Sequence, residues 1–295
     1  MKRIDQNMTP EVFAKVLCSR ELGDDIGRVG FKFVRNMLVG INRTRSVNLT
    51  DIAKGLKENI RLHATHKRLS RNLDNPELAA NLSDRLLNLG AQRVRPDTRL
   101  IVNVYELNKK YARKVEYLPE PGLESDSGFK VCEILASNPG SERYLPLLAT
   151  VWSEKVPGYI SETDEIRKAL RRVVKATNGR GMFYFDDHYF DGDSLRPLFS
   201  DPQIRFIAMM QNSRLDALYH SETCSLQSLA DSLETPYGRT LFKLIPEGAA
   251  GTSKNTDMDV FIHAGAMAVK LPDCDRNLRM IALKTKNRFT GETST

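Results

Sequence analysis

The chain is 295 residues long, room for one large domain or two modest ones. Hydrophobic residues make up 41% and charged residues 27%, the balance of an ordinary soluble chain, and no run of 18 apolar residues is present to span a membrane. The formal charge of +7 is unevenly spread: residues 1–95 carry 18 basic and 10 acidic side chains, whereas residues 96–295 carry 26 and 27. The whole excess lies in the first third, so that segment is the one expected to meet a polyanion.

The opening MKRIDQNMTP has no apolar stretch behind its charges, so it does not read as a secretory signal. The four cysteines (Cys18, Cys132, Cys224, Cys274) are far apart and lack metal-ligand spacing. A reducing, cytoplasmic compartment is expected, with neither disulfides nor zinc.

In chain order, Phe31, Val34, Leu38 and Ile41 fall at helical spacing and predict a helix over 28–41. Asn48 can cap a second, with Asp51 in its first turn and Leu49, Ile52, Ala53, Leu56 and Ile60 as its apolar stripe. His66-Lys67-Arg68-Leu69-Ser70-Arg71-Asn72-Leu73 then packs Leu69 and Leu73 inward and projects Lys67, Arg68 and Arg71. A further helix over 76–89 ends at Gly90. Short helices with a cationic face suit DNA backbone contact, because Lys and Arg displace counterions from phosphate. The same face can also be a solvated surface, and His63 and His66 read as surface filler.

Arg95-Pro96-Asp97 marks a boundary. Leu100 to Tyr105 reads as a buried strand, and Phe129–Ala136 and Leu145–Trp152 complete a three-stranded meander. Ser161 caps a helix with Glu162, Asp164 and Glu165 at its start and Arg171, Arg172 and Lys175 near its end, before Asn178-Gly179. Met182–Phe185 is a fourth strand running into Asp186-Asp187-His188; a short helix (193–199) and a strand (205–210) follow. The succession predicts a mixed α/β sheet. From 212 onward, short apolar stretches (240–245, 260–262, 267–271, 280–283) between turns predict an all-β extension, with a frayed polar end at 291–295. The expected division is a basic helical region (1–95), a mixed-sheet core (96–211) and a β-rich segment (212–295).

Carboxylates at the ends of neighbouring strands suit a metal site, and Asp186 stands at such an end. Two-metal phosphodiester chemistry needs several anionic oxygens around ions about 4 Å apart. The partner position on the first strand is Asn103, which is neutral. It offers one carbonyl oxygen where an anion is needed. Asn103 can be read instead as a hydrogen-bonded core amide, and Asp186, Asp187, Asp191 and Asp193 as a solvated loop.

The ordered set KRLSR (67–71), LIVNVYELNK (100–109), EYL (116–118), YLPLLATVWS (144–153) and FYFDDHYFD (183–191) resembles cut-and-paste insertion-sequence transposases of the DDE type, nearest the insertion-sequence-four family. The resemblance implies an N-terminal helical DNA-binding region, a ribonuclease H-like core with a β-rich insertion, and Mg²⁺-assisted strand cleavage and transfer at DNA element ends. It puts the second catalytic aspartate, a metal ligand, at Asp186 and the first at Asn103, a departure from the family. Glu106, Asp187 and His188 are the accessory candidates, and Lys67, Arg68 and Arg71 the DNA contacts. The third acid, a glutamate on a later helix, has no counterpart before Thr295. The expectation is therefore a nucleoid-associated transposase-like protein with weak or absent Mg²⁺ binding and little cleavage, partnered at DNA element ends by a second copy of itself or a full-length transposase. The competing expectation is a non-catalytic DNA-binding regulator or an inert remnant. A sharp structural consequence is that the strands of Asn103 and Asp186 are neighbours, with side chains within about 6 Å.

Overall fold

The computed structural model describes residues 8–23, 26–108, 116–117, 128–185, 198–210, 215–219, 222–244, 258–272, 274–287 and 293–294, with the backbone alone at 108, 238–244, 258–260, 287 and 293–294. Contacts divide the chain into two units, Met1–Phe185 with Gln203–Ile207, and Asp186–Pro202 with Ala208–Thr295.

The first unit begins with five helices: α1 (Pro10–Leu17), α2 (Gly27–Thr44), α3 (Leu49–Leu56), α4 (Leu62–Leu73) and α5 (Pro76–Ala91). The starts of α1, α3 and α5 are set by side chains that accept from otherwise orphaned backbone N–H groups. Thr9 serves Val12, Asn48 serves Thr50, and Asn75 serves Glu77 and Leu78. Pro10 and Pro76 stand in the first turns of α1 and α5, where proline's missing N–H is no loss. Ala14, Phe33, Ile52, Ala53, Leu69 and Leu78 meet in one core, so the periodic apolar positions become a helical bundle.

Strands β1 (Arg99–Asn108), β2 (Gly128–Ser137), β3 (Tyr144–Trp152), β4 (Met182–Phe185) and β5 (Phe206–Ala208) form a sheet in the order β3-β2-β1-β4-β5. β1, β2 and β3 are an antiparallel meander, and β4 runs parallel to β1 in the register Arg99↔Met182, Leu100↔Phe183, Ile101↔Tyr184. The intervening α6 (Glu162–Thr177) is capped by Ser161, whose Oγ accepts from the Asp164 N–H, and closes at Asn178 and Gly179, both at positive φ. The mixed α/β architecture expected from the sequence is present.

Several local expectations need correction. α1 precedes the first helix expected from periodicity, although Thr9-Pro10 carries its start signal. Gly90 does not terminate α5; it lies inside the helix, where a Cβ would come 2.5 Å from Leu147 Cδ2 on β3. Its missing side chain is what lets α5 approach the sheet. α3 stops at Leu56, with Lys57 in the left-handed region (φ 49°), so Ile60 falls outside the helix and is 51% exposed. Leu73, at the end of α4, is 49% exposed while Leu69 is buried. β1 is not buried on both faces: Leu100, Val102 and Val104 are buried, whereas the alternate residues Ile101, Asn103 and Tyr105 are half-buried or exposed.

The second unit holds a hairpin of β6 (Asp216–Tyr219) and β7 (Glu222–Ser225), a helix α7 (Leu226–Ser232), and a four-stranded antiparallel sheet of β8 (Tyr237–Leu244), β9 (Met258–Val269), β10 (Leu278–Asn287) and β11 (Thr293–Ser294). It is not all-β: Ser225 caps α7 by accepting from the Ser228 N–H, and Lys284 Nζ donates to the Asp231 and Leu233 carbonyls at its end. The stretches 260–262 and 267–271, expected as two, belong largely to the single strand β9. Gly265 is no turn there; a Cβ would lie 2.3 Å from the Glu234 carbonyl oxygen. Thr293 and Ser294, expected to fray, pair with Lys286 and Thr285.

Candidate functional site

α4 is a short cationic helix of the basic segment. Its span, Leu62–Leu73, contains Lys67, Arg68 and Arg71, two histidines and no carboxylate. Thr65 and Leu69 face the core, which turns Lys67 and Arg71, one helical turn apart, toward solvent. The side chains of these two make no hydrogen bond or ion pair with any described residue. With Ala64, Arg68 and Asn72 they border a shallow depression of about 400 Å³.

Arg68 is placed differently. It is half-buried, and its Nη2 donates to both carboxylate oxygens of Glu58, at 2.9 and 2.8 Å. Glu58 lies in the link between α3 and α4 and also accepts from the buried Thr65 hydroxyl at 2.9 Å. Burial pushes the Glu58 carboxyl up, but the hydrogen bonds from Arg68 and Thr65 and the charges of Arg68 and Lys32 outweigh it. The net effect holds the group below the ordinary carboxylate range. Of the three cations expected to project, Arg68 therefore has an internal partner. Glu58 was not singled out from sequence; an acid ten residues before Arg68 has no helical spacing to reveal it.

The second candidate lies on the sheet. Asn103 is half-buried on the face of β1 opposite Leu100, Val102 and Val104. Its carboxamide has no hydrogen-bond partner among the described residues, which does not support reading it as a satisfied core amide. Directly across in register on β2 is the half-buried Glu133, on the same face. Sequence reasoning missed this neighbour because only the β1–β2 register brings 103 and 133 together. Glu106 is three residues from Asn103, so strand alternation sends it to the other face, opposite Lys130. Burial lowers the Lys130 ammonium's pKa, but its hydrogen bond and ion pair with Glu162, and the charge of Glu106, keep it above the ordinary value.

β4, which runs up to position 186, is the parallel neighbour of β1, as expected of the strands carrying 103 and 186. Asp186, Asp187, His188, Asp191, Asp193 and Lys109, and the helix expected from 193, lie outside the described residues, Leu198 and Phe199 apart. Among the described residues no three His, Cys, Asp or Glu side chains gather as metal ligands, and no helix is long and apolar enough to cross a membrane. A neutral amide beside one glutamate does not fit a pair of divalent ions, which need several anionic oxygens between them.

No known family's sequence profile matches the chain, and no curated protein matches it in sequence. Among solved structures, a piggyBac transposase synaptic complex with hairpin DNA superimposes with a TM-score of 0.41 at 9% identity. The match covers 99% of this chain and 65% of that one, so the chain spans less than two thirds of that protein's length. Similarity at this level carries no argument about function.

Proposed function

We propose that this chain is a DNA-binding protein of the transposase type, with α4 as a phosphate-contacting element and a catalytic centre that is silent as written. The observation that carries DNA binding is α4: an exposed, carboxylate-free cationic helix in the segment that holds the entire basic excess. Support for a ribonuclease H-like core comes from the antiparallel β1–β2–β3 meander with β4 parallel to β1. β1 and β4 are parallel neighbours, and a shared metal site needs its ligands on neighbouring strands.

On this reading Asp186 keeps the second aspartate's place and Asn103 occupies the first without its charge. In an intact relative, Mg²⁺ held by the acids would activate the attacking oxygen and stabilise the leaving one. Here a neutral Asn103 cannot share two ions with Asp186, and Glu106 faces away from it. The residues 1–95, 96–211 and 212–295 are then the DNA-binding region, the core and a β-rich insertion, and membership of the insertion-sequence-four family is part of the same proposal. The neutral Asn103 also favours a regulatory role, in which the chain occupies element ends or joins a full-length transposase without cutting.

The experiment is a pair of assays on the full chain. Fluorescence anisotropy with duplex DNA across a salt series is expected to show binding that weakens steeply as salt rises. Supercoiled and end-containing DNA incubated with Mg²⁺ or Mn²⁺ is expected to stay uncut. Robust cleavage that Asp186→Ala abolishes would overturn the silent centre, and absence of binding at low salt would overturn the function itself.

A further inference from the structure

We infer that Arg68 is a positioning residue for the DNA-facing side of α4, clamped by Glu58, and that Lys67 and Arg71 make the phosphate contacts. This rests on the proposed binding of DNA through α4. The clamp reaches across the link between two helices. Glu58, two residues after the end of α3, holds Arg68 in the second turn of α4 and Thr65 in its first. Thr65 is buried, so the carboxylate is tied to the core as well as to the guanidinium. The Arg68 carbonyl in turn accepts from Asn72 Nδ2 at 2.8 Å. Together these contacts fix where the link ends, how α4 starts and which side it offers outward.

Electrostatics decides against Arg68 as a contact. Nη2 is committed to Glu58, whose negative charge offsets the guanidinium's attraction for a phosphate, and swinging the side chain away would leave Glu58 with only the Thr65 hydroxyl and the more distant charge of Lys32. An anion released beside a polyanion opposes the approach it would be meant to assist. Lys67 and Arg71 face no such cost, being exposed and free of side-chain partners among the described residues. The short Ala64 side chain leaves the depression between them open to a phosphate–sugar edge.

The test is the salt dependence of binding by the full chain to a short mixed-sequence duplex, with circular dichroism confirming that each variant folds. Each phosphate contact adds about one unit to the slope of log affinity against log salt. Lys67→Ala and Arg71→Ala are each expected to lower the slope by about one. Arg68→Ala is expected to keep the wild-type slope and lose about three- to fivefold in affinity at every salt, the scale of a partly exposed ion pair. The exchanged pair Glu58→Arg with Arg68→Glu is expected to recover most of that loss. Glu58→Gln, the mildest change, is expected to leave the slope unchanged; were Arg68 a masked contact, freeing it would steepen the slope by about one. A slope for Arg68→Ala that falls as it does for Lys67→Ala would overturn the positioning role while leaving DNA binding intact. Binding indifferent to Lys67 and Arg71, or absent altogether, would instead remove α4 as the DNA-contacting element.

Discussion

Arg85 on α5 is completely buried, and its guanidinium donates to backbone and side-chain oxygens around it. Its Nη1 donates to the Leu17 carbonyl at 3.1 Å and the Ser19 carbonyl at 2.7 Å, and its Nε to Asn81 Oδ1 at 2.9 Å. The first two are backbone groups at the end of α1, where helical carbonyls lack partners of their own. Arg85 thus serves as the C-cap of α1, delivered from a helix 68 residues away in sequence. Replacing Arg85 with Met keeps the apolar stem and removes the donors. Ser19 O retains the Leu22 N–H, at 3.3 Å, whereas the Leu17 carbonyl is left stranded in the interior. One orphaned buried carbonyl costs about 1–3 kcal/mol, and the lost charge-assisted bonds to the Ser19 carbonyl and Asn81 Oδ1 add to it. Removing a buried guanidinium also relieves its desolvation, which offsets part of the loss. The balance is destabilisation by about 3 kcal/mol, which for a unit of this size lowers Tm by roughly 6–12 °C. Urea unfolding followed by circular dichroism measures it as a lower midpoint at unchanged slope. A Met variant within about 0.5 kcal/mol of the parent would refute the capping argument, since it would mean the carbonyls are satisfied without the guanidinium.

Two further outcomes are expected. Gly90→Ala raises helix propensity by about 1 kcal/mol, but its methyl would sit 2.5 Å from Cδ2 of the fully buried Leu147, and overpacking of that kind costs about 1–3 kcal/mol. A net loss near 1 kcal/mol in thermal unfolding is expected, with a larger one for Gly90→Val; stabilisation by Ala would show that β3 yields freely. Glu58 has a folded-state pKa below its ordinary 4.5, so its contribution is fully present above that value and disappears as pH falls through the lower one. Melting curves between about pH 3 and 5 should therefore be flatter for Glu58→Gln than for the parent, and equal slopes would contradict the depressed pKa.

The helix caps show how much of this architecture is legible locally. Asn48, Asn75, Ser161 and Asn178-Gly179 each declare a boundary through chemistry confined to a few residues, and each boundary is found where that chemistry puts it. The meander and the parallel fourth strand follow similarly from apolar runs and short connections. Gly90 and Gly265 show the opposite case. Locally a glycine reads as a stop or a turn, and only the neighbours Leu147 and Glu234, far off in sequence, reveal that each is required for close approach. The acids and cations divide the same way. The basic excess of the first third is legible in the sequence, and so is the identity of residue 103.

Which cations remain available is another matter. Lys67, Arg68 and Arg71 look alike in the sequence; Glu58 makes one of them an internal clamp. Glu106 looked nearer to Asn103 than Glu133, which lies thirty residues off, until the β1–β2 register placed Glu133 beside it and strand alternation turned Glu106 away. Local structure depends on short-range propensity and capping, which the sequence carries by itself. The partners of a charged or missing side chain are set by contacts between distant segments, and those exist only once the chain has folded.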